Sequence, residues 1–133
     1  MTDRIALIAA LFERAKAWLA SHAPLLAENL AEGASEEQLA KVERQSGFKL
    51  PPDLRALWSI HNGQRDELNG FVETLDLFDT KLALAYRTDA YQWIKFHMEM
   101  EPSWDQPGIT EEEARSEHWL PLAGRDSEFM VVN

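Results

Sequence analysis

The chain contains no cysteine, and its 133 residues include only six prolines and six glycines. Without a thiol there is no disulfide framework, no thiolate nucleophile and no cysteine-ligated zinc, and nothing points to an oxidising compartment. Basic residues are also scarce: 13 Lys and Arg stand against 23 Asp and Glu, for a net charge of −10. Such an excess of negative charge repels phosphate backbones and anionic lipid, so neither a nucleic acid nor a membrane surface is the expected partner. Long apolar runs are missing too. The best, Ile5 to Phe12, is cut off by Glu13 and Arg14, well short of the roughly 20 residues that cross a bilayer, and Asp3 precedes it without a cleavage site behind. A single cytoplasmic globular domain over residues 1–133 is the expectation, large enough to hold a core without metal.

What is present is unevenly spread. Residues 99–128 hold nine acids (Glu99, Glu101, Asp105, Glu111, Glu112, Glu113, Glu117, Asp126 and Glu128) against Arg115 and Arg125. Most of the imbalance therefore belongs to one late stretch, and a protein with a basic surface is its natural counterpart.

Periodicity divides the chain into elements. Ile8, Leu11, Phe12, Ala15, Trp18 and Leu19 recur every three to four residues, predicting an amphipathic helix over 3–20. Residues 25–33 lack a firm period and read as a loop or short strand. Ser35 and Gln38 have the spacing of a capping box ahead of Leu39 and Val42, and Gly47 supplies a left-handed stop, so a helix is predicted over 35–46. Pro51-Pro52-Asp53 opens another, lined by Leu54, Leu57 and Trp58 and closed by Asn62-Gly63. Residues 64–70 are turn-rich, 71–78 alternate as a strand does, and Leu82, Ala85, Tyr86, Asp89, Ala90, Trp93, Ile94 and His97 predict a long helix over 80–98. The two prolines of 101–108 impose a loop. Thr110 and Glu113 repeat the capping-box form ahead of a short acidic helix. Trp119 to Ala123 and Phe129 to Val132 then read as a hairpin around a connection over 124–128. The whole predicts an α+β domain.

Catalytic patterns are wanting. None of His22, His61, His97 and His118 belongs to a ligand motif. His97 and Glu101 share a helical face, but a metal needs a third ligand and none is evident. His61, at a helix end, is explained by packing or capping. There is no G-x-S-x-G elbow, and the glycines (33, 47, 63, 70, 108, 124) are isolated, so no phosphate-cradling loop exists. The expectation is a protein that is not an enzyme and carries no cofactor or metal.

Of five tryptophans, Trp18, Trp58 and Trp93 lie on apolar stripes and are expected in the core, with Trp119 packing as well. Trp104 differs, lying between Ser103 and Asp105 in the acidic loop. It reads either as an anchor for a cationic partner or as a lid folded over the core. With Glu99, Glu101, Asp105, Glu111, Glu112 and Glu113 it forms the candidate partner-binding set; the alternative for these acids is a solvated face.

The order Gly33-Ala34-Ser35-Glu36-Glu37-Gln38-Leu39, Val42-Glu43, Gly47 to Leu57, His61-Asn62-Gly63-Gln64 and Trp119-Leu120-Pro121-Leu122-Ala123 resembles the SUKH superfamily. That superfamily includes a yeast cell-wall-synthesis regulator and many bacterial immunity proteins encoded beside polymorphic toxins. The resemblance implies helices flanking a twisted, mostly antiparallel sheet, no enzymatic activity, and binding to another protein: a cognate, nuclease-like basic toxin, or an endogenous partner in a regulatory or scaffolding role. It gives Glu43, Leu50, Pro51, Leu54, Asn62, Gly63, Trp119 and Pro121 structural jobs. Compared with such proteins the chain stops early, either as a short member or without the final strands. An open edge on the last strand would then invite a homodimer or a partner-completed sheet.

Overall fold

The computed structural model describes residues 3–66, 71, 75–100, 108, 110–114, 116, 118–125 and 128–132. In chain order these form α1 (Arg4–His22), α2 (Pro24–Glu28), α3 (Glu36–Ser46), α4 (Pro52–Ile60), β1 (Asp76–Leu77), α5 (Thr80–Met100), α6 (Glu111–Ala114), β2 (Leu120–Arg125) and β3 (Glu128–Val132). The architecture is α+β, with a small antiparallel sheet ordered β1-β2-β3.

Local chemistry sets most boundaries. Asp3 starts α1 by accepting from the amides of Ile5 and Ala6 at 3.0 and 3.3 Å, satisfying donors that a helix start leaves free. In α3 the Ser35 hydroxyl accepts from Gln38 N at 3.1 Å while the Gln38 side chain accepts from Ser35 N at 2.8 Å. Gly47, at φ 82°, ends α3 in the left-handed conformation.

The stretch expected as loop or strand between α1 and α3 contains instead a five-residue helix, α2, with Pro24 in its first turn. Only its tail is extended. Ala34 N donates to Trp58 O at 2.7 Å, Asn62 N to Glu32 O at 2.8 Å, and Ala31 N to Gly63 O at 2.9 Å, so residues 31–34 lie along the exit of α4. Of the strand expected over 71–78, the ladder occupies Asp76–Leu77; residues 72–74 lie outside the described set. The hairpin is tighter than expected: Gly124 pairs with Phe129 and Arg125 with Glu128, taking in most of the expected five-residue connection. A register shift falls between Pro121 and Ala123, where proline withholds a ladder donor.

Two linked clusters make the core. Leu39, Val42, Leu50, Leu54, Trp58, Ala83 and Leu120 join α3, α4, α5 and β2; Phe12, Leu30 and Leu77 join α1 to β1. Leu57 and Leu122 pack against both. Trp58 is fully enclosed and donates its indole N–H to Phe78 O at 3.1 Å, which satisfies the one polar atom of the largest core side chain.

Two sequence expectations about the core are corrected here. Trp18 is 60% exposed and Trp93 39% exposed, so of the three tryptophans assigned to helical stripes only Trp58 is a core residue. The expected stripe of α5 is also out of phase. Ala83 and Met98 are buried and Ile94 half-buried, whereas Ala85, Tyr86, Asp89, Trp93 and His97 face outward.

Candidate partner-binding surface

The signature residues are structural in their geometry. Leu50 and Leu54 are buried, and Pro51 holds an extended backbone (φ −53°, ψ 141°) at the N-cap of α4. Glu43 on α3 accepts from Arg55 Nη1 at 2.6 Å, and the other side of that guanidinium reaches Glu36. Lys49 Nζ stands 3.5 Å from Glu43 Oε2. This node clamps α3 to α4. Asn62 accepts from Thr80 N at 2.9 Å, tying the exit of α4 to the first turn of α5. Gly63 sits at φ 70°, and a Cβ there would lie 2.4 Å from Asp79 N; positive φ and close approach both require glycine. Pro121 is fully buried. The Trp119 indole, half-buried, donates to Glu113 O at 2.8 Å.

That last bond places α6 at the entrance of β2, and α5 packs along β2. The helix that carries Glu99 near its end and the helix of Glu111, Glu112 and Glu113 are thus anchored to the same strand. Glu99 is exposed in the last turns of α5, and Glu111, Glu112 and Glu113 are exposed on α6. Glu113 closes a capping box: its carboxylate accepts from Thr110 N at 2.8 Å and Thr110 Oγ1 at 3.0 Å, and Glu113 N donates to Thr110 Oγ1 at 3.1 Å. These bonds from Thr110, backbone first, hold the Glu113 carboxyl below the ordinary glutamate value. Glu101, Trp104 and Asp105 lie outside the described residues.

The sequence reading missed an aromatic stripe on the outer side of α5. Tyr86, Trp93, Phe96 and Met100 are 36, 39, 50 and 67% exposed. Trp93 stacks on His97 at a centroid distance of 4.6 Å and meets Phe96 at 5.8 Å. Asp89, Lys95 and Glu99 flank the group, all exposed. A signal existed: α5 carries apolar residues at 82–86, 90, 91, 93, 94, 96, 98 and 100, more than one buried face of a helix can take. Trp93 and Phe96 are exposed aromatics of the kind enriched at interfaces, with charges of both signs around them.

Two other histidines make ring contacts. His61 Nδ1 lies 2.7 Å from Ala31 O and its ring meets Phe12 edge-on at 4.9 Å; His118 lies against Phe48 at 5.0 Å. Among the described residues no group of three or more His, Asp or Glu converges as metal ligands, and no helix is long and apolar enough to cross a membrane.

Fold and surface together define a small α+β module with an aromatic outer face on α5 and an acidic α6. The SMI1 / KNR4 family (SUKH-1) model matches residues 33–133, and the chain belongs to that family, whose members work through protein–protein contact in immunity-type or regulator-like roles. F-box only protein 3 of Bos taurus and of Homo sapiens is 39% identical over 75 residues, 56% of this chain and 16% of theirs. F-box only protein 3 of Rattus norvegicus is 42% identical over 62 residues, 47% of this chain and 13% of its own. The chain thus spans about a sixth of the length of these relatives.

Proposed function

We propose that this is an immunity-type protein that acts in the cytoplasm by binding and neutralising a cognate toxin with a basic surface, and that it turns over no substrate itself. The observation that carries this reading is the exposed Trp93–Phe96–Met100 stripe of α5 set beside Glu99, in a stretch, residues 99–128, with nine acids and two arginines. The acids speed encounter and select the partner, and the packed aromatics supply most of the affinity. The outer edge of β3, which pairs with no described strand on its far side, gives a partner strand or a second copy a place to add.

A regulatory or scaffolding module is the second reading. It is favoured by the matched relatives, in which the similar segment is a small part of a much longer chain. Co-expression with a toxin encoded beside the gene separates the two. Protection that is lost on Phe96→Ala together with Glu99→Gln supports the first reading; no protection by the wild type removes it.

A further inference from the structure

Helices α3 and α5 leave between them an open groove of about 400 Å³, the size of a site for a small ligand or a few residues of a peptide. Val42, buried, and Leu84, half-buried, give it an apolar floor, and Gln38 and Gln45 stand on its α3 side. Its lining includes two exposed cations, Lys41 and Lys81, and no acid. Acids outnumber bases in this chain 23 to 13, and other lysines have found them: Lys16 meets Glu13 and Lys49 meets Glu43. Among the described residues neither Lys41 nor Lys81 has a carboxylate partner. On α3 itself, Glu36 and Glu43 are committed to Arg55 of α4, and Glu37, one turn ahead of Lys41, makes no ion pair with it. Lys81 also stands against a local rule. It lies in the first turn of α5, which holds no acid, where the helix dipole disfavours a cation. A residue that breaks a local preference with no return inside the fold marks a functional position.

We propose that this groove docks an acidic peptide segment of a partner protein, with two neighbouring Asp or Glu side chains on Lys41 and Lys81 and an apolar side chain on Val42 and Leu84. Charge selects that occupant, and the rest of the lining fits a peptide better than a bare anion. The Gln38 side-chain oxygen accepts from Ser35 N at 2.8 Å, which fixes the amide and leaves its N–H groups for a peptide carbonyl. A bare anion would use neither the amides nor the floor. The acidic stretch does not interfere: Lys81 and Glu99 are eighteen residues apart on one helix, about 27 Å, and charges that far apart are screened at physiological salt, where the Debye length is about 8 Å. The two ends of α5 thus favour opposite charges. The groove is also separate from the Trp93–Met100 stripe, so an acidic segment docks whichever partner that stripe takes.

An NMR titration of the full chain at ~0.15 M salt tests the docking, with an acetylated and amidated peptide that carries two adjacent glutamates beside a leucine, and with its glutamine counterpart. The glutamate peptide is expected to shift the amides of residues 38–45 and 80–85 and to saturate with a Kd on the order of 100 µM. The glutamine peptide should bind at least roughly tenfold more weakly. Lys41→Gln with Lys81→Gln abolishes binding, while Arg14→Gln, an exposed cation of α1, leaves it unchanged. Lys81→Glu separates docking from folding: it removes binding yet places an acid where the helix start favours one, so the urea midpoint holds or rises. A lower midpoint would give Lys81 a job in the fold and overturn the proposal. Absence of shifts, equal binding of the two peptides, or normal binding by the double variant would do the same. So would inorganic phosphate saturating the same amides as tightly, which makes the groove a plain anion site, or their shift when the chain alone is concentrated, which puts a second copy's acids there.

Discussion

The phase of α5 decides which of its side chains hold the fold together and which are free to bind, and two neighbouring substitutions test it. Met98 is 5% exposed and Phe96 50% exposed. Truncating Met98 to alanine removes buried methylenes and leaves a cavity, for an expected loss of about 2–3 kcal/mol, within the range for such changes. In a chain of this size that lowers Tm by roughly 10 °C. Truncating Phe96 to alanine removes ring contacts made at the surface, and alanine favours the helix by about half a kcal/mol over phenylalanine. The two effects offset each other, and the expected change is within about 0.5 kcal/mol of zero. Urea unfolding followed by far-UV circular dichroism measures both. A Phe96→Ala variant as unstable as Met98→Ala would show that the aromatic stripe is core and would remove the candidate surface with it.

Three further perturbations probe the joints that present that surface. Gly63→Ala forces a side chain to positive φ against the backbone of Asp79, and should cost at least about 1–3 kcal/mol or prevent folding; unfolding close to wild type would refute the close approach. In a double-mutant cycle, Glu43→Gln and Arg55→Met should couple by about 1–2 kcal/mol, because the Glu43 carboxylate is mostly enclosed and loses its charge-assisted bond when either partner changes; additive effects would deny the clamp. Glu113 has a lowered folded-state pKa because it accepts from Thr110, so its contribution is present above the unfolded glutamate value and is lost as pH falls through the folded one. The Thr110 amide shift in an NMR titration should follow that loss at acid pH and vanish in Glu113→Gln.

How much was legible in the sequence depends on whether a segment had one strong local signal. α3 was readable to within a residue because Ser35, Gln38 and Gly47 act within single turns. α4 was nearly so, the helix ending at Ile60 with His61 as its C-cap, just ahead of the expected Asn62-Gly63 stop. α2 was hidden because five residues are too few to show a period. α1 and α5 were located correctly; the expected stripe of α1 held at Ile8, Phe12, Ala15 and Leu19 but not at Leu11 and Trp18, whereas α5 was misread in phase, since each carries a second apolar stripe and periodicity alone does not say which one the core takes. That choice is made by long-range packing: Phe12 against Leu30 and Leu77, and Ala83 against the α3–α4–β2 cluster. The acids of the candidate set were visible as composition. Their aromatic companions were not, because Trp93 read as core until α5 is seen docked on β2 and α3, and Phe96 carried no reading of its own. The loop with Glu101, Trp104 and Asp105 lies outside the described residues.

The central claim is that an acidic, aromatic surface docks on a basic protein, and it is tested most directly by the kinetics of binding to the purified cognate toxin at low and high salt. Phe96→Ala should weaken binding by about 2 kcal/mol, roughly thirtyfold and chiefly through faster dissociation. Glu99, Glu111 and Glu112→Gln together should slow association several-fold at low salt and little at high salt. Rates indifferent to both the ring and the salt would contradict the account.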